Sequence, residues 1–274
     1  MFEPNNDYPG YLYPWKKRYK YTLHINIVDH CDLKCAGCSN FSCISEYGIV
    51  EKEEFEKDLK RIKEILGTSI RCINLLGGEP LLHPYLEELF YIVRKFYPKT
   101  HLTIQTNAVS FKQKSESFWK SCKDTNVDIH ISKYPIKLDE DFYLKKFEEY
   151  GIEWSYLNNS VCEKFTTYPI DLLGKQNSLL NFCTCTESNR RIHLYKGKLS
   201  TCQVPLVIRH FNKKFGKNIP VTEEDYVDIY KEGLTRDEIF EKIRKPTNIC
   251  KYCSPTKSRD FPWRISNQTI DEYI

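Results

Sequence analysis

Three cysteines stand close together near the start of the chain, in the stretch HCDLKCAGC. Cys31, Cys35 and Cys38 are spaced Cx3Cx2C and directly follow a short β-rich run. Cysteine thiolates hold the irons of a four-iron, four-sulfide (4Fe–4S) cluster, and three of them leave the fourth iron open to bind a substrate. The spacing therefore predicts an open cluster, with a zinc knuckle completed by His30 or Cys43 as the alternative.

A second group of cysteines lies toward the end of the chain. It comprises Cys185, Cys202, Cys250 and Cys253, and Cys183 stands two residues before the first of them. Four thiolates saturate a 4Fe–4S cluster and leave no open iron. The spacing predicts a closed cluster, with Cys185 preferred over Cys183 as the first ligand, or else a structural zinc site of four cysteines.

The composition is that of a folded protein. The 274 residues are 41% hydrophobic and 28% charged, and at roughly 150 residues per domain the length allows about two domains. Twelve cysteines in 274 residues fall below the roughly 8–10% of a secreted disulfide scaffold. No apolar run approaches the roughly 18 residues of a membrane span, and the start lacks a signal peptide's apolar core. We therefore expect a cytoplasmic protein with no membrane partner.

The charge balance adds little about partners. The net charge of +4 is small, and the charged residues are spread evenly along the chain. A protein that binds nucleic acid electrostatically presents a concentrated basic surface. The sequence thus predicts no nucleic-acid partner.

The elements that must position the first cysteine group are short β-rich runs alternating with helical patterns. This alternation is typical of βα units around parallel strands. Within the runs, apolar side chains occupy every second position and polar ones, such as His24, Asn26 and Asn74, occupy the opposite face. Parallel strands covered by helices on both faces are usually apolar throughout. We predict a barrel-like sheet with a polar, ligand-holding lumen, the alternative being a sheet open to water on one face. The predicted strands are residues 21–28, 72–76, 101–106, 127–132 and 152–157.

The pattern changes after Leu157. RIHLYKGKLSTC is typical of two short strands around a turn at Lys196 and Gly197. Thr235 and Glu238 have the spacing of a helix-capping box, and Pro246 ends the helix that follows. A second, smaller unit is therefore expected here.

The Cx3Cx2C loop resembles the signature of the radical S-adenosylmethionine (radical SAM) superfamily. GGEP ends the second predicted strand, and in that superfamily this motif holds the amino group of S-adenosylmethionine. Positions after the third and fourth strands match those where family members contact the ribose and the methionine carboxylate. One departure is Gly37, because family members commonly carry an aromatic residue before the third cysteine. The residues that the resemblance implies for S-adenosylmethionine binding are Gly77, Gly78, Glu79, Pro80, Thr106, Asn107, Ser132 and Lys133.

The resemblance covers residues 21–156 and implies a partial (β/α)6, TIM-like barrel of the α/β class. The second cysteine group resembles the twitch domain, a shortened SPASM domain that holds one auxiliary 4Fe–4S cluster. The implied division is an N-terminal arm (1–20), the barrel core (21–157), a connecting segment (158–182), a twitch-type α+β domain (183–255) and a C-terminal tail (256–274).

The resemblance also implies a reaction. A 5′-deoxyadenosyl radical would abstract a hydrogen atom from a carbinol carbon of a sugar, aminocyclitol or nucleotide-linked sugar, giving oxidation or epimerisation. His130, Lys133 or Tyr134 would supply the base, and Cys183 would donate a hydrogen atom in an epimerisation. The implied electron donor is of the flavodoxin or ferredoxin type. The alternatives are a peptide-modifying maturase, with the aromatic arm at 8–15 for recognition, and a zinc-stabilised module that binds protein or nucleic acid.

Overall fold

The structure, a computed structural model, describes residues 20–157, 161–185, 187–188 and 191–274. Within these ranges the chain forms an eight-stranded sheet, a separate two-stranded sheet and seven α-helices. The strands are β1 (Tyr21–Val28), β2 (Ile70–Gly77), β3 (His101–Thr106), β4 (Val127–Ile131), β5 (Trp154–Tyr156), β6 (Lys164–Thr167), β7 (Arg191–Tyr195), β8 (Lys198–Ser200), β9 (Val227–Asp228) and β10 (Arg259–Pro262). The helices are α1 (Lys52–Leu66), α2 (Leu86–Phe96), α3 (Glu116–Thr125), α4 (Glu140–Tyr150), α5 (Ser178–Thr184), α6 (Val204–Phe215) and α7 (Arg236–Ile243).

The large sheet has the order β5-β4-β3-β2-β1-β7-β8-β9. Strands β1 to β5 and β7 run parallel to one another, and β8 and β9 add antiparallel strands at the edge beyond β7. At the centre, Ile25 of β1 is opposite Leu75 of β2 and Leu194 of β7. Helices α1 to α4 connect consecutive parallel strands, which confirms the predicted α/β fold with a partial TIM-like barrel.

The alternation along the strands separates two buried faces. Leu23, Ile25 and Ile27 are at most 2% exposed and belong to the apolar core. On the opposite face, His24 is 5% exposed and Asn26 is 2% exposed. The polar face is therefore enclosed, so the alternative of a sheet open to water is wrong.

Two helix ends follow the local sequence signals. Helix α1 ends at Leu66, and Gly67 follows with a φ of 50°, a conformation that costs glycine less than other residues. Before α7, Thr235 Oγ1 accepts the Glu238 amide at 3.3 Å, and Glu238 Oε2 accepts the Thr235 amide at 2.8 Å. These contacts confirm the predicted capping box.

The predicted hairpin β7–β8 is present and continues the barrel sheet, because β7 pairs with β1. An ion pair connects helix α6 to Asp29, the residue that follows β1. Arg209 Nη2 lies 2.8 and 2.7 Å from the two carboxylate oxygens of Asp29. Burial opposes ionisation of this carboxyl group, but His210 and Arg209 outweigh it and lower the pKa of Asp29 to about 2.

The domain boundaries given by the sequence stay predictions. Most of the N-terminal arm (1–19) and the start of the connecting segment (158–160) lie outside the described residues, as does the aromatic stretch 8–15. None of the helices that the structure describes has the length and apolar character needed to cross a membrane.

Candidate functional site

A cavity of about 450 Å³ lies at the carboxyl ends of the parallel strands. The loop after β1 brings the side chains of Cys31, Cys35 and Cys38 to its wall, and the turn after β2 adds Glu79. In barrel folds this end of the sheet carries the chemistry because the βα loops converge there. The first cysteine group and the GGEP motif are therefore brought together as the sequence predicted.

Neutral N–H groups donate to the sulfurs of this loop. Trp263 Nε1 lies 3.1 Å from Cys35 Sγ, and Asn107 Nδ2 lies 3.5 Å from Cys31 Sγ. Burial raises the pKa of the Cys35 thiol to about 12, so a thiolate here needs a bound cation to compensate its charge. N–H donors around buried cysteine sulfurs are the environment in which iron–sulfur clusters are held and tuned.

A single metal ion fits this arrangement less well than a cluster. Nowhere among the described residues do three His, Cys, Asp or Glu side chains come close enough to share one ion. Zinc draws its ligands to about 2.0–2.3 Å, whereas the irons of a cluster stand at separate corners, each with its own cysteine. The two side chains considered for completing a zinc site have other neighbours: Cys43 Sγ lies 2.8 Å from Tyr273 Oη, and the His30 ring packs against Tyr47.

Glu79 is the most enclosed charged group at the cavity, with 1% exposure. Its carboxylate accepts hydrogen bonds from Leu81 N at 2.9 Å, Thr106 Oγ1 at 2.6 Å and Asn107 N at 2.8 Å. These donors are neutral, and burial raises the pKa of Glu79 to about 7 despite them. A buried carboxylate that is oriented by three neutral donors is suited to bind an ammonium group.

The two glycines of GGEP lie directly against the backbone that follows β1. A Cβ on Gly78 would lie 1.9 Å from the carbonyl oxygen of His30, and one on Gly77 would lie 2.2 Å from that of Val28. The Gly78 amide donates to Val28 O at 2.7 Å, and the Glu79 amide to His30 O at 3.0 Å. The glycines thus allow the turn to pack directly on the backbone that leads into the cysteine loop.

Gly78→Ala is accordingly expected to destabilise the fold by at least about 1–3 kcal/mol, because the added methyl group overlaps a backbone oxygen. The displaced cysteine loop should also lose iron after reconstitution. Urea unfolding and iron analysis measure the two effects. Gly67→Ala is the control for iron content: its φ of 50° adds backbone strain and should also lower stability, but a Cβ there meets nothing within 4 Å and the cysteine loop should retain its full iron content. Equal iron content in both variants would contradict this role for Gly78.

The other predicted contacts to S-adenosylmethionine are divided between the cavity and its surroundings. Thr106, Asn107 and Ser132 line the cavity, and Asn107 Nδ2 also donates to Asp32 Oδ1 at 2.7 Å. Lys133 is not among the lining residues. Its Nζ instead lies 2.7 Å from Glu140 Oε2, in an ion pair.

The predicted catalytic side chains are also separated. Tyr134 lines the cavity and its ring stacks on that of Trp263 at 5.6 Å between centroids. His130 and Cys183 are not among the lining residues. Burial lowers the pKa of His130 and raises that of Cys183.

The second cysteine group converges on the same cavity. Cys185, Cys202 and Cys253 line it. Burial, together with the neighbouring thiols of Cys185, Cys250 and Cys253, holds the pKa of Cys202 well above its ordinary value. Cys183, on α5, is not among these electrostatic neighbours. The geometry groups the four cysteines that the sequence preferred.

Several side chains at the site were missed by sequence reasoning. His193 of β7 lines the cavity beside His24 of the neighbouring strand β1, with 5.1 Å between ring centroids. Asn40 bridges the cysteine loop to the sheet: its Oδ1 accepts from Asn26 Nδ2 at 3.3 Å and its Nδ2 donates to Gly77 O. The polar position of His193 within the apolar strand RIHLY was the available signal, but it gives no hint that β7 lies beside β1.

Comparison with known proteins agrees with this geometry. Residues 25–154 match the model of the radical SAM superfamily, a range that begins within β1 and contains the cysteine loop, GGEP and strands β2 to β4. This part of the chain is a radical SAM domain. The family implies that the protein uses S-adenosylmethionine and a 4Fe–4S cluster, which agrees with the donor set found at the cavity. The twitch-type domain stays a prediction.

The curated relatives match this chain over different lengths. GTP 3′,8-cyclase of Clostridium botulinum (strain Hall) is 26% identical over 113 residues, which are 39% of this chain and 34% of the relative. The chain thus spans about a third of the length of such relatives. For GTP 3′,8-cyclase of Campylobacter lari the identity is 25% over 232 residues, covering 77% of this chain and 71% of the relative.

Among solved structures, BtrN in complex with AdoMet and 2-DOIA aligns with a TM-score of 0.52 at 14% identity. The alignment covers 93% of this chain and 97% of BtrN. At this identity the likeness supports the fold alone, and it extends beyond the radical SAM domain to nearly the whole chain.

Proposed function

We propose that this radical SAM protein oxidises a carbinol carbon of a hydroxyl-rich substrate, namely a sugar, an aminocyclitol or a nucleotide-linked sugar. The observation that carries the proposal is that the first cysteine group, three cysteines of the second group, Glu79 and a set of polar lumen side chains line one cavity. Bound there, S-adenosylmethionine and the clusters would supply a 5′-deoxyadenosyl radical and transfer single electrons.

The residues around the first cysteine group have separate tasks in this proposal. Cys31, Cys35 and Cys38 hold the open cluster. Glu79 binds the amino group of S-adenosylmethionine, and its three hydrogen bonds keep the carboxylate oriented before the ligand arrives. Ser132, whose Oγ accepts from Gln105 Nε2 at 3.5 Å, lines the adjacent wall.

The substrate class is supported by polar side chains in the lumen. His193 is 2% exposed, and neither of its ring nitrogens has a hydrogen-bond partner among the described residues. An unpaired buried polar group costs about 1–3 kcal/mol, which a ligand recovers when it pairs with that group. His24, Gln105 and Arg191 line the same cavity. A substrate with several hydroxyl groups offers both donors and acceptors to such a surface.

A neutral hydrogen-bond acceptor for the substrate hydroxyl is also available. Burial and the neighbouring Arg191 lower the pKa of His193 to about 3, so its imidazole is neutral at pH 7 and one ring nitrogen can accept a hydrogen bond from that hydroxyl. Tyr134 carries a pKa well above its usual value because it is buried, and so it stays protonated. We therefore favour His193 over Tyr134, and over His130 and Lys133, which do not line the cavity.

Oxidation is favoured over epimerisation by the positions of the cysteines. Oxidation needs an acceptor for the second electron, and Cys185, Cys202, Cys250 and Cys253 form a group suited to a closed cluster at the cavity. Epimerisation instead needs a hydrogen-atom donor at the substrate. Cys183, the predicted donor, does not line the cavity.

The experiment that tests the proposal measures 5′-deoxyadenosine formed by anaerobically reconstituted protein, reduced chemically or by a flavodoxin. Candidate sugars, aminocyclitols and nucleotide sugars carry deuterium at the carbinol carbons, and GTP and short peptides serve as comparison substrates. We expect stimulation by one hydroxyl-rich class, with deuterium transferred to 5′-deoxyadenosine. Stimulation by peptides alone would indicate a maturase, and no cleavage by iron-loaded protein would favour a metal-stabilised binding module.

Cys250→Ala combined with Cys253→Ala tests the second cysteine group. Cleavage of S-adenosylmethionine should persist, because Cys31, Cys35 and Cys38 are unchanged, while formation of the oxidised product should fall below detection. Cys72→Ala with Cys162→Ala is the matched control, since both thiols lie outside the two groups and should leave turnover unchanged. Full product formation by the Cys250/Cys253 variant would refute the electron-acceptor role.

A further inference from the structure

We infer that the segment 261–266, here called the C-terminal clasp, completes the first cysteine group, and that the indole N–H of Trp263 raises the reduction potential of the cluster bound there. Trp263 is a positioning and tuning residue in this inference, not a catalytic one. The inference rests on the proposed function, because it requires a cluster at Cys31, Cys35 and Cys38.

The clasp is joined to the cysteine loop by backbone hydrogen bonds. The Ala36 amide donates to Arg264 O at 3.0 Å, and the Ser266 amide donates to Lys34 O at 2.8 Å. Cys35 is consequently paired with Ile265 in an antiparallel β-bridge. The middle cysteine of the loop is thus held by a segment from the other end of the chain.

The indole of Trp263 is oriented by its neighbours. Its ring stacks on Tyr134 with an angle of 29° between the ring planes, and its backbone amide donates to Glu163 O at 2.8 Å. These contacts aim Nε1 at Cys35 Sγ, 3.1 Å away. A donor fixed by stacking and by a backbone hydrogen bond loses little entropy when it interacts with a ligand sulfur.

Phe261 adds an aromatic side chain beside the third cysteine. Gly37 precedes Cys38 and has a φ of 64°. A Cβ at Gly37 would lie 2.9 Å from Phe261 Cζ and 3.3 Å from Glu272 O. The clasp therefore occupies the space into which a side chain at position 37 would project, which explains why glycine is accommodated there.

The electrostatic consequence follows from the charge added on reduction. An extra electron makes the cluster and its thiolates more negative, and a buried N–H dipole aimed at a ligand sulfur stabilises that state. Removal of the N–H should therefore make the potential more negative. The driving force for electron entry from a given donor should fall accordingly.

The test compares Trp263→Phe with wild-type holoenzyme in a redox titration followed by electron paramagnetic resonance. The signal that changes on addition of S-adenosylmethionine identifies the cluster with the open iron. Phenylalanine keeps a ring beside Tyr134 but lacks the N–H donor. We expect a shift of the midpoint potential to more negative values, with unchanged iron content and circular dichroism.

Two further variants separate tuning from folding. Trp263→His restores an N–H donor and should recover part of the shift, even if both substitutions lower stability. Trp154→Phe, on β5 and packed against Phe147, removes an indole elsewhere and should leave the potential unchanged. An unchanged potential in Trp263→Phe would overturn this inference alone. A wild-type protein without any signal responsive to S-adenosylmethionine would instead overturn the proposed function.

Discussion

Replacement of Cys31, Cys35 and Cys38 together by alanine should abolish cleavage of S-adenosylmethionine and leave about half of the iron, since one of two four-iron clusters would remain. The effect on activity should be complete because no other described thiol is placed to substitute. Cys43, the next cysteine along the chain, is buried and engaged with Tyr273. The measurements are 5′-deoxyadenosine formation and iron and sulfide analysis after anaerobic reconstitution.

A matched triple variant controls for the loss of three thiols. Cys72, Cys122 and Cys162 lie outside both cysteine groups, and their replacement by alanine should retain the full iron content and the cleavage activity. Loss of all iron from the Cys31/Cys35/Cys38 variant would count against two separate clusters. Residual cleavage would show that the open cluster is held elsewhere.

Glu79→Gln should weaken binding of S-adenosylmethionine by about 10- to 100-fold. This factor corresponds to the loss of one hydrogen bond between charged groups, which contributes about 1.5–3 kcal/mol. In the wild type, Leu81 N, Thr106 Oγ1 and Asn107 N all donate to the Glu79 carboxylate. The NH₂ group of a glutamine at this position would face at least one of these donors and could not accept its hydrogen bond. Part of the substitution's cost therefore falls on the fold. Calorimetric titration of reconstituted protein with S-adenosylmethionine measures the affinity, and urea unfolding measures the stability.

Glu88→Gln is the control for loss of a carboxylate, because Glu88 is an exposed residue of α2 paired with Lys52. It should bind S-adenosylmethionine as the wild type does. Equal affinity of the Glu79→Gln and Glu88→Gln variants would refute the role of Glu79 as the ammonium ligand.

The raised pKa of Glu79 gives this prediction a pH dependence. The pKa of Glu79 is about 7 in the folded protein, above the ordinary value of 4.5. Between pH 4.5 and about pH 7 the folded protein therefore keeps a proton on Glu79 that the unfolded chain has released. Stability of the ligand-free protein should therefore fall as the pH rises from about 4.5 to about 7. Affinity for the ammonium group should rise over the upper part of this range, and Glu79→Gln should flatten both profiles.

Local sequence determined much of this protein. The Cx3Cx2C spacing, the GGEP turn, the alternation along β1 and the capping box before α7 each depend on residues within a few positions of one another. Such features follow from short-range geometry, the period of a strand or the reach of a side chain, and are therefore readable from residue order. They were sufficient to predict the barrel and the first cysteine group.

The tertiary structure alone decided which distant segments complete the site. Trp263 and Cys35 are 228 positions apart, and Arg209 and Asp29 are 180 apart. Their contacts arise because β7 pairs with β1 and the C-terminal clasp pairs with the cysteine loop. Periodicity carries no information about which strands become neighbours, since many pairings bury the same apolar face. His193 and Trp263 could therefore be assigned to the cavity and to the cysteine loop only once the chain was folded.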